Sequence, residues 1–233
     1  MSEELSGQTV VLIGGSARIG LETARRARAE GADVVLTGRD PERLKRAALD
    51  VDARSTTAFD ANDPASLERF FNGLPAPIDH VMVTAGGPHY GPLLEMDSDQ
   101  VRQAISEHVV LALEVARNAA GKMRPGGTLL LMGGTGGRRI SRELGIASAA
   151  TAALPPFTAV LALELAPVRV NLSAAGFVDT PLSASLLGDA LDARATRVLR
   201  SCSRAGIPSA SSGQRSTSVL GPPPPSTPTT RPR

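Results

Sequence analysis

The chain has 233 residues, of which 42% are hydrophobic and 21% charged, a size that fits one α/β domain with a sizeable core. Aromatic residues supply 3% of the chain and tryptophan is absent, which argues against base-stacking surfaces for nucleic acid. The formal net charge of +2 hides an asymmetry: residues 193–233 hold seven of the 25 basic residues and none of the 23 acidic ones, so residues 1–192 carry −5 and are not a basic nucleic-acid-binding domain.

The N-terminal quarter predicts alternating strands and helices. The β-branched run 9–13 (TVVLI) ends at glycines, and residues 21–30 carry helix-forming alanine and arginine. Residues 33–37 predict a second strand, and residues 41–51 a second helix with proline in its first turn. A short third strand is expected at residues 56–59.

The alternation continues in the middle of the chain. Asp63 is placed to cap a third helix that begins at Pro64, and residues 78–84 (IDHVMVT) predict a fourth strand. Apolar residues at helical spacing then predict one long helix over residues 101–123. This helix could pair two copies of the chain, although its apolar residues would look similar if they simply faced the core.

Two further strands and one helix follow. After a pair of glycines, residues 128–132 (TLLLM) predict a buried strand, and residues 168–172 (VRVNL) a sixth. Between them lies an alanine-rich helix at 147–165, which Pro155 and Pro156 should kink or divide. Strands that are apolar nearly throughout and alternate with helices predict a doubly wound parallel sheet, a Rossmann-like three-layer αβα fold over residues 1–192.

The last 41 residues differ in character. Residues 201–233 are rich in Ser, Pro, Thr, Gly and Arg and have no apolar periodicity, so we expect residues 193–233 to be disordered. Two origins stay open for this segment: a shifted reading frame of a high-GC gene, or a natural basic tail that binds an acidic partner.

The sequence favours a cytoplasmic protein. It contains no run of about 18 apolar residues, and residues 1–7 lack the basic and apolar parts of a signal peptide. The single cysteine, Cys202, cannot form an internal disulfide. We expect no metal site and neither a membrane nor a nucleic-acid partner.

A glycine-rich turn links the first strand to the first helix. Residues 13–20 read IGGSARIG, and glycines in this position let the backbone approach a pyrophosphate at the start of a helix. At the end of the second strand, NAD-binding domains place an acid for the ribose 2′-hydroxyl, whereas this chain has Arg39, which can pair a 2′-phosphate instead. This favours NADP over NAD, and the alternative is a solvated loop arginine.

Several separate motifs make residues 8–186 resemble the short-chain dehydrogenase/reductase family. Asp60 matches the family's adenine-pocket acid, and residues 83–86 (VTAG) resemble its segment after strand four. Residues 163–171 (LELAPVRVN) and 180–182 (TPL) resemble its downstream segments. Arg18 stands where the family usually has glycine, as in pteridine reductases, which use NADPH. The turn and the resemblance together imply an NADP(H) site formed by Gly14, Ser16, Arg18, Ile19, Gly20, Arg39, Asp60, Ala85, Gly86 and Thr180.

The resemblance fails at the residues that move protons. The family uses a serine, a tyrosine and a lysine, and alignment puts Gly134, Ala147 and Thr151 at these positions. His108 falls where the family usually has asparagine. The only tyrosine of the chain is Tyr90, and no lysine follows residue 122, so a shifted alignment does not restore the set.

Two readings of this departure stay open. Tyr90 and His108 could be relocated proton-transfer residues that border the nicotinamide, or they could be half-buried polar residues without a role. The protein is accordingly either an NADP(H)-dependent oxidoreductase acting on an unknown small molecule, such as a quinone, or a non-catalytic NADP(H)-binding sensor. We do not find the family's substrate lid and seventh strand in the sequence, which leaves the substrate undefined. Their loss predicts an exposed apolar sheet edge, a surface for aggregation or pairing, and removes the family's usual tetramer contacts.

Overall fold

The computed structural model describes residues 4–138, 140 and 142–175, and its centre is a six-stranded sheet. All pairings are parallel, in the order β3-β2-β1-β4-β5-β6. This confirms the doubly wound fold class. The strands are β1 (Thr9–Ile13), β2 (Asp33–Gly38), β3 (Ser55–Ala58), β4 (Ile78–Val83), β5 (Met123–Gly134) and β6 (Arg169–Ala175).

Six α-helices connect and cover these strands. Asp40 caps α2 by accepting a hydrogen bond from the Arg43 amide at 3.0 Å, and Asp63 caps α3 by accepting one from the Ala65 amide at 3.2 Å. The second cap was predicted from the sequence. The helices are α1 (Arg18–Ala29), α2 (Pro41–Val51), α3 (Pro64–Gly73), α4 (Ser98–Ile105), α5 (Leu111–Ala120) and α6 (Gly145–Glu164).

Alternating side chains of the strands separate the core into two layers. In β1, Val11 and Ile13 join the cluster beneath α3, α5 and α6, whereas Val10 and Leu12 join the cluster beneath α1 and α2. This period of two is what a strand imposes on its side chains. Helices therefore cover both faces of the sheet, which confirms the predicted three layers.

The prediction of one continuous helix over residues 101–123 is wrong. The structure has α4, a π-helical segment (Ser106–Val110) and α5 in its place, and Met123 already belongs to β5. α4 begins earlier because Asp97 forms a capping box with Gln100, a sequence signal that the apolar spacing concealed. Met123 pairs with Ile78 of β4, so long-range pairing overrides its local helical spacing.

Several other boundaries differ from the sequence prediction by a few residues, and two of them have a clear structural reason. α1 begins at Arg18 rather than at residue 21, because the glycine-rich turn leads directly into the helix. The glycines at 126 and 127 do not separate β5 from the preceding segment, because they lie in an irregularity where the register against β4 shifts between Ile78 and His80.

The two prolines do not divide α6. Pro155 and Pro156 lie inside one continuous helix of 20 residues, which packs against β5, β6 and α4. Burial of Leu154, Thr158 and Leu161 holds the helix together despite two missing backbone donors. By length and composition alone, α6 is also the one described helix apolar enough to cross a membrane, which the sequence reading did not anticipate.

In the described part of the chain, β6 forms one edge of the sheet. The expected loss of a seventh strand and the expected disorder of residues 193–233 lie outside the described residues.

Candidate functional site

A cleft of about 580 Å³ lies at the carboxyl ends of the strands. It straddles β1 and β4, the point at which the strand order runs outwards in opposite directions. Its walls come from the segments that follow β1, β2, β3, β4 and β5 together with the start of α6. Open parallel sheets bind their ligands at this kind of position.

The turn after β1 packs directly on the end of β4. Gly14 has a φ of +98°, and a Cβ placed on it would lie 2.5 Å from the backbone nitrogen of Ala85. The Gly14 amide donates to Oγ1 of Thr37 at 3.2 Å, and the Gly15 amide donates to the Thr37 carbonyl at 2.9 Å. Only glycine permits this approach, which presses the turn against the floor of the cleft.

The start of α1 faces the cleft without a competing anion. Its N-cap, Ala17, makes no side-chain cap bond, and the first turn contains no acidic residue. Ser16, Arg18, Ile19 and Gly20 all line the cleft, as the sequence predicted. The free amides and the helix dipole favour an anionic group here.

Two exposed arginines line the same end of the cleft. Among the described residues, the side chains of Arg18 and Arg39 form neither an ion pair nor a hydrogen bond. Arg43 also lines the cleft, but its guanidinium lies 3.4 Å from Asp40. A backbone hydrogen bond from Arg43 lowers the pKa of Asp40, so this partner stays ionised at neutral pH. The two unpaired guanidinium groups are therefore the ones free to bind an added anion.

The segment after β3 forms another wall of the cleft at the end that Arg18 and Arg39 line. Asp60 lines the cleft, and its Oδ1 accepts hydrogen bonds from the Asn62 amide at 3.0 Å and from Nδ2 of Asn62 at 3.1 Å. The Oδ1 of Asn62 is buried and has no hydrogen-bond partner in the described structure. The sequence analysis missed Asn62, although an Asp followed two residues later by Asn is a turn signal.

The residues after β4 form the floor of the cleft. The amides of Thr84 and Ala85 both donate to the Ile13 carbonyl at 2.8 Å, which ties this segment to β1. Gly86 has a φ of +87°, and a Cβ on it would lie 2.6 Å from the Glu107 carbonyl. Ala85 and Gly86 therefore line the cleft at a contact between β4 and the π-helical segment.

The other end of the cleft contains Tyr90 and His108. Burial raises the pKa of the Tyr90 phenol, so this group stays protonated at neutral pH. Burial lowers the pKa of His108, although the hydrogen bond to the Ala104 carbonyl and the charge of Glu107 act in the opposite direction. The structure thus brings the two predicted proton-transfer residues into one cavity.

Glu107 is a site residue that the sequence analysis missed. Its side chain is 12% exposed, lines the cleft, and accepts hydrogen bonds from the Gly87 amide at 3.2 Å and from Nε2 of Gln103 at 2.8 Å. Nε2 of His89 lies 3.2 Å from the same carboxylate. His89 and Tyr90 also line a second cavity of about 280 Å³, so this carboxylate holds the loop that separates two cavities.

Three small residues line the same cleft as Tyr90 and His108. Gly134, Ala147 and Thr151 all line it, and a Cβ on Gly134 would lie 3.4 Å from Cγ2 of Thr151. The Thr151 hydroxyl donates to the Ala147 carbonyl at 2.8 Å within its own helix. None of these three side chains is ionisable. Thr180, the remaining predicted cofactor residue, lies outside the described residues.

Comparison with known proteins gives a consistent result. The family described as enoyl-(acyl carrier protein) reductase matches residues 15–206. The short-chain dehydrogenase/reductase ATR9 of Stachybotrys chlorohalonatus is 29% identical in an alignment of 187 residues that covers 74% of this chain and 74% of that protein.

Solved structures share the fold over most of the length of this chain. A short-chain dehydrogenase/reductase from Brucella melitensis superimposes with a TM-score of 0.78 at 26% identity, covering 84% of this chain and 83% of that one. The crystal structure of BdcA in complex with NADPH superimposes with a TM-score of 0.71 at 26% identity, covering 76% and 73%. The matched family, the sequence relative and the shared fold agree: this chain belongs to the short-chain dehydrogenase/reductase family.

Proposed function

We propose that the cleft binds NADP(H) and that the protein is an NADP(H)-dependent oxidoreductase. The observation that carries the proposal is the pair of arginines, Arg18 and Arg39, which line one end of the cleft and have no carboxylate partner in the described structure. A 2′-phosphate offers a guanidinium charge-assisted, bidentate hydrogen bonds that a ribose hydroxyl does not.

The rest of this end fits a dinucleotide. The turn centred on Ser16 would hold a pyrophosphate through the amides at the start of α1, and Asp60, which lines the cleft, would accept a hydrogen bond from the adenine amino group, as its match to the family's adenine-pocket acid implies. The Gly14 contact with Ala85 leaves no space for a side chain, as a cradle for phosphate requires. The crystallised complex of BdcA with NADPH supports the same cofactor.

Bound NADP(H) supplies or accepts hydride, and the chain itself has to hold the substrate and move a proton. We propose Tyr90 and His108 for these tasks, because they are ionisable residues in the same cavity as Gly134, Ala147 and Thr151. In our alignment these three replace the family's serine, tyrosine and lysine. Proton transfer by a positioned side chain contributes about 10²–10⁴-fold to a rate.

Arg39→Ala tests the cofactor assignment. We expect the affinity for NADPH to fall about 10–100-fold, because a charge-assisted hydrogen bond contributes about 1.5–3 kcal/mol, while the affinity for NADH stays unchanged. Fluorescence titration of the full chain with both cofactors at low salt measures this. Arg46→Ala is the matched control, since Arg46 lies on α2 but not in the cleft. Equal losses for NADPH and NADH would contradict the proposal.

A specific observation also favours a second function, a non-catalytic NADP(H)-binding sensor. Gly134 has no side chain, and the side chains of Ala147 and Thr151 cannot exchange a proton at neutral pH. The two functions are separated by NADPH oxidation against ketones, aldehydes and quinones, measured beside cofactor binding. Binding without turnover of any compound favours the sensor, and turnover favours the oxidoreductase.

A further inference from the structure

The segment after β3 is fixed at both ends where it lines the cleft. The Phe59 amide donates to the Gly38 carbonyl at 3.1 Å, and the Phe59 ring packs against Phe70 with 5.3 Å between the ring centroids. At the other end, the Asp63 amide donates to the Asp60 carbonyl at 3.0 Å, and the Asp63 side chain caps α3. Asp60 therefore stands on a short, well-anchored turn between β3 and α3.

Asn62 occupies one oxygen of the Asp60 carboxylate. Oδ1 of Asp60 accepts hydrogen bonds from the Asn62 amide at 3.0 Å and from Nδ2 of Asn62 at 3.1 Å. Among the described residues, Oδ2 of Asp60 accepts no hydrogen bond and forms no ion pair. Asp60 is exposed and lines the cleft, so the second oxygen is left for a ligand.

Asp60 also fixes the orientation of the Asn62 carboxamide. Oδ1 of Asn62 is buried and has no partner in the part of the chain that the structure describes, an unfavourable state for a polar atom. Turning the amide over would be worse, because it would place this oxygen against the negatively charged oxygen of Asp60. The Asn62 side chain thus gains one hydrogen bond and leaves one acceptor unpaired, so it adds little to stability, and its main effect is on the carboxylate.

A carboxylate with one oxygen held has its other oxygen in a defined place. An exocyclic amine can donate a hydrogen bond to that oxygen, and the bond is strong because the acceptor is charged. A carbonyl oxygen in the place of the amine has no hydrogen to donate and would lie against the carboxylate. The geometry of this turn therefore bears on which nucleobase can bind beside it.

We propose that Asn62 is a positioning residue for nucleobase recognition: it holds Oδ1 of Asp60, so that Oδ2 accepts from an exocyclic amine and the cleft prefers adenine to a base with a carbonyl at that position. This inference rests on the proposed NADP(H) function. It adds a residue whose side chain acts on the base through Asp60 and not by its own contact.

The probe is deamino-NADPH, in which hypoxanthine carries a carbonyl where adenine carries the amine. We expect the wild-type protein to bind NADPH about 10–100-fold more tightly than deamino-NADPH, as the loss of one charge-assisted hydrogen bond implies. Fluorescence of the reduced nicotinamide measures both affinities on the full chain. This ratio of affinities needs no substrate and no turnover.

Asn62→Ala removes Nδ2 but keeps the backbone amide that bonds to Asp60. We expect the ratio to fall about 3–10-fold, through weaker NADPH binding and unchanged deamino-NADPH binding. Asn62→Gly is the second variant if the first does not fold, because glycine suits a turn. Asn72→Ala is the matched control, since Asn72 is exposed on α3 and does not line the cleft.

A double-mutant cycle tests whether Asn62 acts through Asp60. In an Asp60→Ala background, Asn62→Ala should change the ratio no further, because the oxygen that it holds is gone. Independent, additive effects of the two substitutions would overturn the positioning role.

Stability separates this role from a structural one. We expect the urea midpoint of Asn62→Ala to stay close to that of the wild type, because one hydrogen bond and one unpaired buried oxygen are removed together. A lowered midpoint with an unchanged ratio would overturn the inference, as would a wild-type protein that binds both cofactors equally. Absence of NADPH binding by the wild type would overturn the proposed function itself, which the other outcomes leave standing.

Discussion

The two ends of the cleft are built from different parts of the protein. At the cofactor end, Gly14 and the start of α1 contribute backbone groups, and the two free arginines contribute charge. At the other end, the Glu107 carboxylate bonds to Gly87 and His89 from the loop after β4, while Tyr90 and His108 also line the cleft. Backbone geometry follows a local motif, whereas the second arrangement depends on contacts between distant segments.

We propose that this difference is the reason why, in our alignment, the two ends of the cleft depart from the family pattern to different degrees. A phosphate cradle made of amides and glycines tolerates no side chain at its closest contact, so its sequence is restricted. Side-chain proton chemistry can move to another element that lines the same cavity, provided that the group lies within reach of the substrate. The following variants test this distinction, beginning with the largest expected effect.

Gly14→Val should abolish NADPH binding and lower the free energy of unfolding by about 3 kcal/mol. A valine here would combine a left-handed backbone conformation with a side-chain clash against Ala85. Chemical denaturation and cofactor titration measure the two effects. Gly73→Ala is the control, because a Cβ at that helical position meets nothing within 4 Å. If Gly14→Val retained its NADPH affinity, the glycine-rich turn after β1 would not be the part of the cleft that holds the phosphate groups.

Glu107→Ala should lower the free energy of unfolding by about 1–3 kcal/mol, because it leaves the Gly87 amide and the Gln103 amide without their acceptor. NADPH affinity should change little, since the carboxylate lies at the other end of the cleft. Urea denaturation and limited proteolysis near residue 89 measure the loss of loop anchoring.

A control for Glu107 lies two turns along the same helical stretch. Glu114 forms an ion pair with Arg117, whose side chain is 63% exposed, so Glu114→Ala should cost about 0.5 kcal/mol or less. Equal destabilisation by the two substitutions would mean that the Glu107 contacts are no stronger than a surface pair.

Arg43→Ala should have the smallest effect. Its guanidinium pairs with Asp40 and both side chains are largely exposed, so we expect less than about 1 kcal/mol in stability and less than about fivefold in NADPH affinity. Comparison with Arg39→Ala under the same salt conditions sharpens the contrast between paired and unpaired arginines. If Arg43→Ala lowered the NADPH affinity as much as Arg39→Ala does, this would indicate that Arg43 contacts the phosphate.

Sequence reasoning succeeded where local patterns decide the structure. The βαβ unit, the cap at Asp63 and the alternation of six strands with helices along the chain were predicted from periodicity and turn residues. It failed at residues 101–123, because the start of β5 is set by pairing with β4. It also failed at Pro155 and Pro156, because packing against the sheet outweighs the local helix-breaking tendency.

The sequence by itself determined the six strands and their alternation with helices, the glycine-rich turn and the presence of Arg39 at the end of β2, because each depends on neighbours within a few residues. Only the tertiary structure showed that Arg18 and Arg39 lack carboxylate partners among the described residues, and that Glu107 bonds to His89 and Gly87 in the loop after β4. The physical reason is that the partners available to a side chain come from segments far apart in the chain, as Gly87 and His89 do for Glu107.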